Sequence, residues 1–393
     1  MRNAVVVDAV RTAVGRRNGK LANWHAVDLA SEALRALQRR NDLDPSVVDD
    51  VLTGCVTQVG EQAVNVGRSA VLAAGWPESV PATTVDRQCG SSQQAIHFAA
   101  QGIMAGAYDV VVALGVESMT RVPMGSSAVR GLGLPYGPRV EQRYEERGGL
   151  VSQGIAAELI AERWDISRHE LDEYSAASHR RAATATAAGR FGGEIVPVPV
   201  RDADGLDTEE LFATDEGIRP STTVEVLGAL KPAFKLDGGR ITAGNSSQIS
   251  DGSSAVLLMS EERASSLGLR PRARFCAFAV VGVDPILMLT GPIPATTAVL
   301  ERAKLRLDQI DRIEINEAFA PVVLAWAREH HPDMARVNVN GGAIALGHPL
   351  GASGAKLFTT LLNELERAGG RYGLLTMCEG GGLANALVLE RLG

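Results

Sequence analysis

The sequence contains an internal repeat, and a repeat this long limits the folds that the chain can adopt. An aspartate after a short turn, Asp49, recurs as Asp311 at a spacing of 262 residues (311 − 49). A tyrosine before an apolar strand, Tyr108, recurs as Tyr372 at a spacing of 264 residues (372 − 108). Each copy reads turn, helix and strand, the alternation that predicts a duplicated α/β fold with parallel strands. The alternative interpretation is a chance similarity between two ordinary βαβ units.

The composition is that of an ordered enzyme. The chain has 393 residues, 45% of them apolar and 22% charged, which is enough for two or three domains. A net charge of −7 without a cationic cluster argues against binding to nucleic acid. The four cysteines, Cys55, Cys89, Cys276 and Cys378, are too few and too scattered for a disulfide framework, so a reducing compartment is predicted.

No targeting or membrane segment is predicted. Residues 1–10 read as a strand and lack the basic region and cleavage site of a signal peptide. No apolar run approaches the about 18 residues of a membrane span, and the C-terminus is not a peroxisomal tripeptide. We therefore expect a cytoplasmic protein that does not enter a membrane.

The middle of the chain differs in amino-acid composition from both copies of the repeat. It is rich in glycine and proline turns and then in charged helical stretches, such as the one at residues 168–188, in which we see no chemistry. We therefore predict that it is an insertion into the first half. The predicted division is residues 1–119 for the first part of the first half, 120–242 for the inserted loop domain, 243–270 for the completion of the first half, and 271–393 for the second half.

Cys89 lies where a strand ends and a helix with apolar residues at helical spacing begins. Backbone N–H groups and the dipole at a helix N-terminus favour a thiolate over a thiol. We therefore expect Cys89 to be a nucleophile with a lowered pKa. The alternative is a buried, inert cysteine that packs as a small apolar side chain.

Two glycine-rich segments provide further reactive groups. His348 stands before a proline in a glycine-rich loop that leads into a helix, a suitable position for a base beside a thiol, while the other histidines are interpreted as structural. Cys378 ends a strand before three glycines, and strand ends are where sites form in parallel sheets. The spacing for a dinucleotide fingerprint is absent, and no paired cysteines predict a zinc site, so no metal is expected.

Four blocks together resemble the thiolase family, in the family's order and over essentially the whole chain. They are CGSS at residues 89–92, Asn316-Glu317-Ala318-Phe319, GGAIALGHPLGASGA at residues 341–355, and CEGGG at residues 378–382. The resemblance implies two related α/β halves stacked as a five-layered α-β-α-β-α sandwich, with a loop domain inserted into the first half. It also implies an acyltransferase that forms a homodimer or a homotetramer.

The resemblance assigns a role to each reacting group. Cys89 forms an acyl-enzyme with a 3-ketoacyl-CoA, His348 takes its proton, and Cys378 exchanges a proton with acetyl-CoA. One oxyanion hole is formed by His348 and a water held by Asn316, and the other by the backbone N–H groups of Cys89 and Gly380. Coenzyme A and acyl-CoA are substrates, and no further cofactor is implied. The positions that match the family's CoA-binding residues are Ala243, Ser247, Met288, Ala318 and Phe319, with Arg219 as a candidate for a CoA phosphate.

Departures from the family's pattern concern the substrate. Ser92-Gln93 stands where Gly-Leu is frequent, and Ser152-Gln153-Gly154 where His-Met-Gly is frequent. Asp86 replaces a usual asparagine, and residues 383–385 replace a Gln-Gly pattern. These polar replacements favour a degradative thiolase for longer or bulkier 3-ketoacyl-CoAs over a biosynthetic acetoacetyl-CoA thiolase.

Two other functions fit the same fold. A decarboxylating or acyl-carrier-protein condensing enzyme would use Cys-His-His or Cys-His-Asn, and Cys378 before three glycines argues against both. A non-catalytic acyl-CoA or sterol carrier would have lost a reacting residue, and none is lost.

Overall fold

The computed structural model describes residues 2–129, 131–133 and 135–393. Its strands are β1 (Ala4–Thr12), β2 (Gly15–Arg16), β3 (Asp50–Gly54), β4 (Ala82–Val85), β5 (Val110–Ser118), β6 (Ile195–Val196), β7 (Val198–Arg201), β8 (Asp207–Phe212), β9 (Ser250–Ser260), β10 (Ala273–Gly282), β11 (Arg312–Ile315), β12 (Tyr372–Glu379) and β13 (Leu383–Arg391). Its helices are α1 (Ala26–Asn41), α2 (Val66–Ala73), α3 (Ser91–Ala105), α4 (Pro138–Glu145), α5 (Gln153–Arg163), α6 (Arg168–Ala187), α7 (Val224–Gly228), α8 (Glu261–Ser266), α9 (Pro292–Ala303), α10 (Ala320–His330), α11 (Ala343–Leu346) and α12 (Ser353–Ala368). No helix among these residues is long and apolar enough to cross a membrane.

The strands follow the same order in both halves of the chain. In the first half the order is β4-β3-β5-β9-β1, with β9 antiparallel to both of its neighbours. In the second half the order is β11-β12-β13-β10, with β13 antiparallel to both of its neighbours, and Val337 bridges Ile313 where β4 pairs in the first half. A short antiparallel contact between β1 and β10 joins the two halves. The shared order confirms the predicted duplication and excludes chance similarity.

The aspartates that revealed the repeat make the same contacts in both halves. The Asp49 carboxylate accepts hydrogen bonds from the backbone N–H groups of residues 109–110, at 2.6 and 2.9 Å. The Asp311 carboxylate accepts them from residues 371–372, at 2.7 and 2.9 Å. Each aspartate therefore ties the start of one strand to the start of its parallel neighbour. The backbone N–H groups at these strand starts need an acceptor, and the aspartate carboxylate provides it.

Helices α3 and α12 lie between the two halves. They pack against each other and against strands of both halves, in an apolar cluster that includes Leu52, Val111, Leu375 and Leu387. Helix α12 is buried on nearly all sides, as expected of a helix in a central layer. Helices α1 and α2 cover the other face of the first sheet, and α9 and α10 that of the second. The predicted five-layered α-β-α-β-α arrangement is thereby confirmed.

The segment between β5 and β9 is tied to the first strand by buried charges. Arg11 on β1 is fully buried, and its guanidinium donates to both oxygens of Asp215, at 2.7 and 2.9 Å, and to Glu194 at 2.7 Å. Removing one member of such a set leaves an unpaired buried charge, which typically costs about 3–5 kcal/mol. The division of the chain into residues 1–119, 120–242, 243–270 and 271–393 stays a prediction.

Candidate active site

A strained turn presents Cys89 at the start of α3. Gln88 has a positive φ of 47°, and its N–H is held at 2.7 Å by the Asp86 carboxylate, which fixes the turn. Gly90 is the N-cap residue of α3. The sequence correctly predicted Cys89 at a helix N-terminus, and the tight turn explains why an aspartate serves as well as an asparagine at position 86.

The expectation of a lowered Cys89 pKa is wrong. Burial, and after it the charge of Glu379, raise the pKa of Cys89 to about 12. The backbone N–H groups of Cys89 and Gly380 act in the opposite direction, but their effect is smaller than that of desolvation. Cys89 is therefore a thiol at neutral pH, and a base must remove its proton as it reacts.

His348 is neutral and has one nitrogen ready to accept a proton. Burial lowers the pKa of His348 to about 3, with a smaller contribution from Lys356. Its Nδ1 lies 2.5 Å from the Ser353 hydroxyl, which itself donates to the carbonyl of Pro349 at 2.8 Å. Because the hydroxyl proton is used, Nδ1 carries the ring hydrogen and Nε2 carries the lone pair. Asn316 Nδ2 lies 3.3 Å from that Nε2.

Replacing Ser353 by alanine should lower kcat about tenfold and leave KM nearly unchanged, because the preferred ring tautomer of His348 is lost. Steady-state kinetics with a 3-ketoacyl-CoA measures both constants. Ser353→Thr keeps the hydroxyl group and is the matched control, expected to retain most of kcat. A wild-type kcat in Ser353→Ala would show that the hydroxyl does not orient the ring.

The loop that carries Asn316 is held by its buried neighbour. The Glu317 carboxylate accepts hydrogen bonds from Tyr174 at 2.8 Å, Ser178 at 2.7 Å and Asn338 at 3.1 Å. Tyr174 and Ser178 belong to α6, the charged helix in which the sequence showed no chemistry. Helix α6 therefore supports the site indirectly, which only tertiary contacts reveal.

Cys378 and Gly380 lie beside Cys89. Cys378 ends β12 and is fully buried, and its pKa is raised first by burial and then by the charge of Cys89. A methyl group on Gly380 would lie 3.1 Å from Gln88 Oε1 and 3.2 Å from Gln153 Nε2, so this position has no room to spare. The structure thus brings the two predicted thiols to one place, with two backbone N–H groups directed at Cys89.

The start of α12 lies against the start of α3, which brings the His348 loop to the same end as Cys89. The Ser92 hydroxyl accepts a hydrogen bond from the backbone N–H of Ala355 at 2.9 Å. A methyl group on Gly354 would overlap the backbone nitrogen of Gln93. The replacement of Gly-Leu by Ser92-Gln93 is thus a packing feature, because Ser92 satisfies a free donor in the first turn of α12.

A cavity of about 550 Å³ opens onto His348. It is lined by most of the residues predicted to bind CoA, namely Ala243, Ser247, Ala318, Phe319 and Arg219. Arg16 and Arg17, which the sequence analysis did not single out, also line it and bring two further positive charges to its rim. No sequence signal marks them, because exposed arginines are common and β2 lies far from Arg219 along the chain.

Met288 lies in a second cavity, of about 650 Å³. Its lining is mainly apolar and aromatic and comprises Tyr136, Val140, Arg143, Tyr144, Leu150, Val151, Ser152, Pro285, Met288 and Gly381. Gln153 lines the first cavity and approaches Gly380, the neighbour of Gly381. The Gln153 side chain and Gly380 therefore stand between the two cavities.

Comparison with known proteins identifies the family. Residues 4–262 match the family described as "Thiolase, N-terminal domain", and residues 269–391 match "Thiolase, C-terminal domain". The chain belongs to the thiolase family. It is therefore an acyltransferase, as the four sequence blocks indicated.

Relatives match this thiolase over its full length. It is 54% identical to a protein named steroid 3-ketoacyl-CoA thiolase FadA6 from Mycobacterium tuberculosis, a match that covers 100% of this chain and 95% of the relative. It is 47% identical to a 3-ketoacyl-CoA thiolase from Serratia proteamaculans, with 100% of both chains covered. The crystal structure of the Bacillus anthracis acetyl-CoA acetyltransferase aligns with a TM-score of 0.91 at 40% identity, covering 100% of this chain and 99% of that one. The predicted fold is confirmed.

Proposed function

We propose that this thiolase cleaves 3-ketoacyl-CoAs with coenzyme A, releasing acetyl-CoA and an acyl-CoA shortened by two carbons. The observation that carries the proposal is the meeting of two free thiols, Cys89 and Cys378, with the neutral His348 on a loop at the same end of α3. One thiol is needed to accept the acyl group and the other to handle a proton, since a single group does not perform both steps at once. The names of the relatives from Mycobacterium tuberculosis and Serratia proteamaculans support the same reaction.

In the first half-reaction the Cys89 sulfur attacks the 3-keto carbon as His348 Nε2 takes the thiol proton. The carbon–sulfur bond forms, the bond between C2 and C3 breaks, and its electron pair stays on acetyl-CoA. Cys378 gives its proton to that carbanion. A thiol is a suitable acid here, because burial keeps the pKa of Cys378 high and the group protonated until a stronger base forms beside it.

In the second half-reaction the thiol of coenzyme A attacks the acyl-enzyme and loses its proton to Cys378, while Cys89 leaves and regains its proton from His348. Negative charge develops on the thioester oxygen. The backbone N–H groups of Cys89 and Gly380 are fixed donors for this charge, and fixed donors need no reorganisation during the reaction. On the other side, we assign a second oxyanion hole to His348 and to a water held by Asn316, whose buried Oδ1 has no partner among the described residues.

The first cavity is the proposed CoA channel. Ala243, Ser247, Ala318 and Phe319 line this cavity together with His348. Arg219, together with Arg16 and Arg17, places positive charge where phosphates of CoA would lie, and guanidinium groups bind phosphate well. Coenzyme A and acyl-CoA are the substrates, and the mechanism uses no further cofactor.

The second cavity is the proposed site for the acyl group. Its aromatic and aliphatic lining includes Tyr136, Tyr144 and Met288, and it reaches Gly381 beside the oxyanion donors. A volume of about 650 Å³ is far more than an acetyl group fills. This supports degradation of longer or ring-bearing acyl chains. The second candidate is condensation of two acetyl-CoA molecules, because the Bacillus anthracis protein is named an acetyl-CoA acetyltransferase.

A substrate series tests this assignment. Thiolysis of acetoacetyl-CoA, a medium-chain 3-ketoacyl-CoA and a ring-bearing 3-ketoacyl-CoA should give kcat/KM values that rise with acyl size, by about tenfold or more between the first and the last, because each buried methylene group contributes about 0.8 kcal/mol. A clear preference for acetoacetyl-CoA would refute the bulky-substrate assignment. Absence of thiolysis with every substrate of the series would refute the proposed thiolase activity and favour a non-catalytic acyl-CoA or sterol carrier.

A variant of the second cavity is the control for this series. Val140→Trp places a large ring in the cavity lining, on the partly exposed helix α4. It should reduce activity on the ring-bearing substrate while leaving activity on acetoacetyl-CoA almost the same. Equal losses on both substrates would show that the cavity does not hold the acyl group.

We also propose that the protein forms homo-oligomers in a reducing, cytoplasmic compartment. Among the described residues, β4 pairs with β3 on one side and with no strand on the other, which leaves a free edge for a second copy. Phe98 on α3 and Val280 on β10 are exposed apolar residues. The requirement that Cys89 and Cys378 stay reduced supports the compartment.

A further inference from the structure

The carboxyl group of Glu379 is buried without any hydrogen-bond partner. Its side chain is 0% exposed, and among the described residues neither Oε1 nor Oε2 has a donor. An ionised carboxylate in such a place is very unfavourable, whereas a neutral carboxyl group costs far less. In agreement, burial raises the pKa of Glu379 to about 8, although Arg87 acts in the opposite direction.

Glu379 lies directly against the start of the helix that carries the nucleophile. It stands between Cys378 and Gly380 in the chain, and a methyl group on Gly90 would overlap its Oε1. The nearby amide of Asn385 donates to the carbonyl of Gly90 at 3.1 Å. The carboxyl group therefore touches the N-cap of α3, one residue from Cys89, and within the described part of the chain no hydrogen-bond donor compensates a charge there.

A second buried glutamate near Cys89 shows the contrast. Glu117 accepts hydrogen bonds from the backbone N–H groups of Val56, Thr57 and Gly351, at 2.9, 3.0 and 2.8 Å. Burial raises the pKa of Glu117, and these donors act in the opposite direction. Of the two glutamates, Glu379 has the larger effect on the Cys89 thiol, and only burial exceeds it.

We propose that Glu379 is a positioning residue for Cys89. As a neutral acid, Glu379 packs against the start of α3, and ionisation of Glu379 suppresses formation of the Cys89 thiolate. The physical reason is repulsion between two negative charges in a site that excludes water. The same repulsion opposes an oxyanion at the N–H groups of Cys89 and Gly380. The inference rests on the proposed nucleophilic role of Cys89.

The other titratable or charged groups around Glu379 do not replace this effect. They are Asp86 and Arg87 before α3, His97 on α3, Cys89 itself, and Cys378 on β12. Burial lowers the pKa of His97 to about 3, so it is neutral. Cys378 stays a thiol because its pKa is raised by burial. Among the charged groups that act on Cys89, Glu379 has the largest effect on its pKa.

Alkylation of Cys89 by iodoacetamide tests the proposal without any acyl-CoA. The rate is measured on the full-length protein from pH 6.5 to 9.5, by mass spectrometry of the peptide that contains Cys89. Wild type and Glu379→Gln should agree within about twofold at pH 6.5, and the glutamine variant should react about 3- to 10-fold faster at pH 9.5, because one pKa unit is a tenfold change in thiolate. Glu379→Asp keeps an ionisable group and should keep the wild-type shape of the profile.

Parallel profiles of wild type and Glu379→Gln would overturn the proposal. If a variant fails to fold, the wild-type profile alone tests the proposal. The logarithm of the wild-type alkylation rate, plotted against pH, should rise with a slope clearly below one between pH 7 and 9. A slope of one throughout this range would overturn the proposal. Failure of every 3-ketoacyl-CoA to be cleaved would refute the proposed function, and it would leave the alkylation profile, and hence this inference, intact.

Discussion

Replacing Cys89 by serine should lower thiolysis about 10⁴-fold or more, toward the loss of about 10⁶-fold that follows removal of a covalent nucleophile. The reason is that a hydroxyl group at this buried position lacks both the nucleophilicity and the acidity of a thiol. Steady-state thiolysis of a 3-ketoacyl-CoA measures the loss. Mass spectrometry after mixing with substrate should show an acylated protein for the wild type and none for Cys89→Ser.

The matched control for this variant is Cys276→Ser. Cys276 lies partly exposed on β10 and outside the two cavities, so its replacement should change activity by less than about twofold. Thermal unfolding of both variants shows whether serine at either position disturbs the fold. Undiminished cleavage by Cys89→Ser in a folded protein would contradict the acyl-enzyme mechanism.

Replacing Cys378 by alanine should separate the two duties of the thiols. Cleavage of the carbon–carbon bond should fall about 10²- to 10⁴-fold, the usual range for loss of a general acid, because the acetyl-CoA carbanion is left without a proton donor. Acylation of Cys89 by a simple acyl-CoA should fall much less, since the departing CoA thiolate is a far weaker base than a carbanion and depends less on a proton from Cys378. Labelled acyl-CoA, followed by mass spectrometry of the Cys89 peptide, measures it.

The two variants together decide the assignment. Cys89→Ser should lose both thiolysis and acylation, whereas Cys378→Ala should lose most of its thiolysis and keep most of its acylation. If Cys378→Ala cleaved 3-ketoacyl-CoA at the wild-type rate, another group would supply the proton, and the assignment of Cys378 as the acid would be refuted. If it lost acylation as well, Cys378 would be needed for the integrity of the Cys89 site.

Much of the site was predictable because the reactive residues stand in short, local patterns. A strand followed by an apolar helix placed Cys89 at the N-cap region of α3, and three glycines after Cys378 marked a strand end. The glycine-rich loop located His348, and Asn316 came from the family's pattern. Glycines in these segments are required because neighbouring backbone approaches within contact distance, as Gly354 does at Gln93.

The pKa of the nucleophile was not predictable. A helix N-terminus stabilises a thiolate, and this local effect is visible in the sequence, but burial of Cys89 is a property of the assembled halves. The unpaired carboxyl group of Glu379 and the support of Glu317 by α6 are also tertiary facts. Met288 lies in the second cavity for the same reason: proximity between distant segments decides which cavity a side chain lines.

The sequence by itself indicated the duplicated architecture and the candidate reacting groups, because the repeat, the glycine positions and the short motifs can be read along the chain. The tertiary structure decided the charge states of Cys89, His348 and Glu379, the tautomer of His348 and the separation of two cavities. The charge states depend on desolvation and on contacts between distant residues, such as Gly90 and Glu379 (379 − 90 = 289). The tautomer of His348 depends on how the loop folds its ring against the Ser353 hydroxyl.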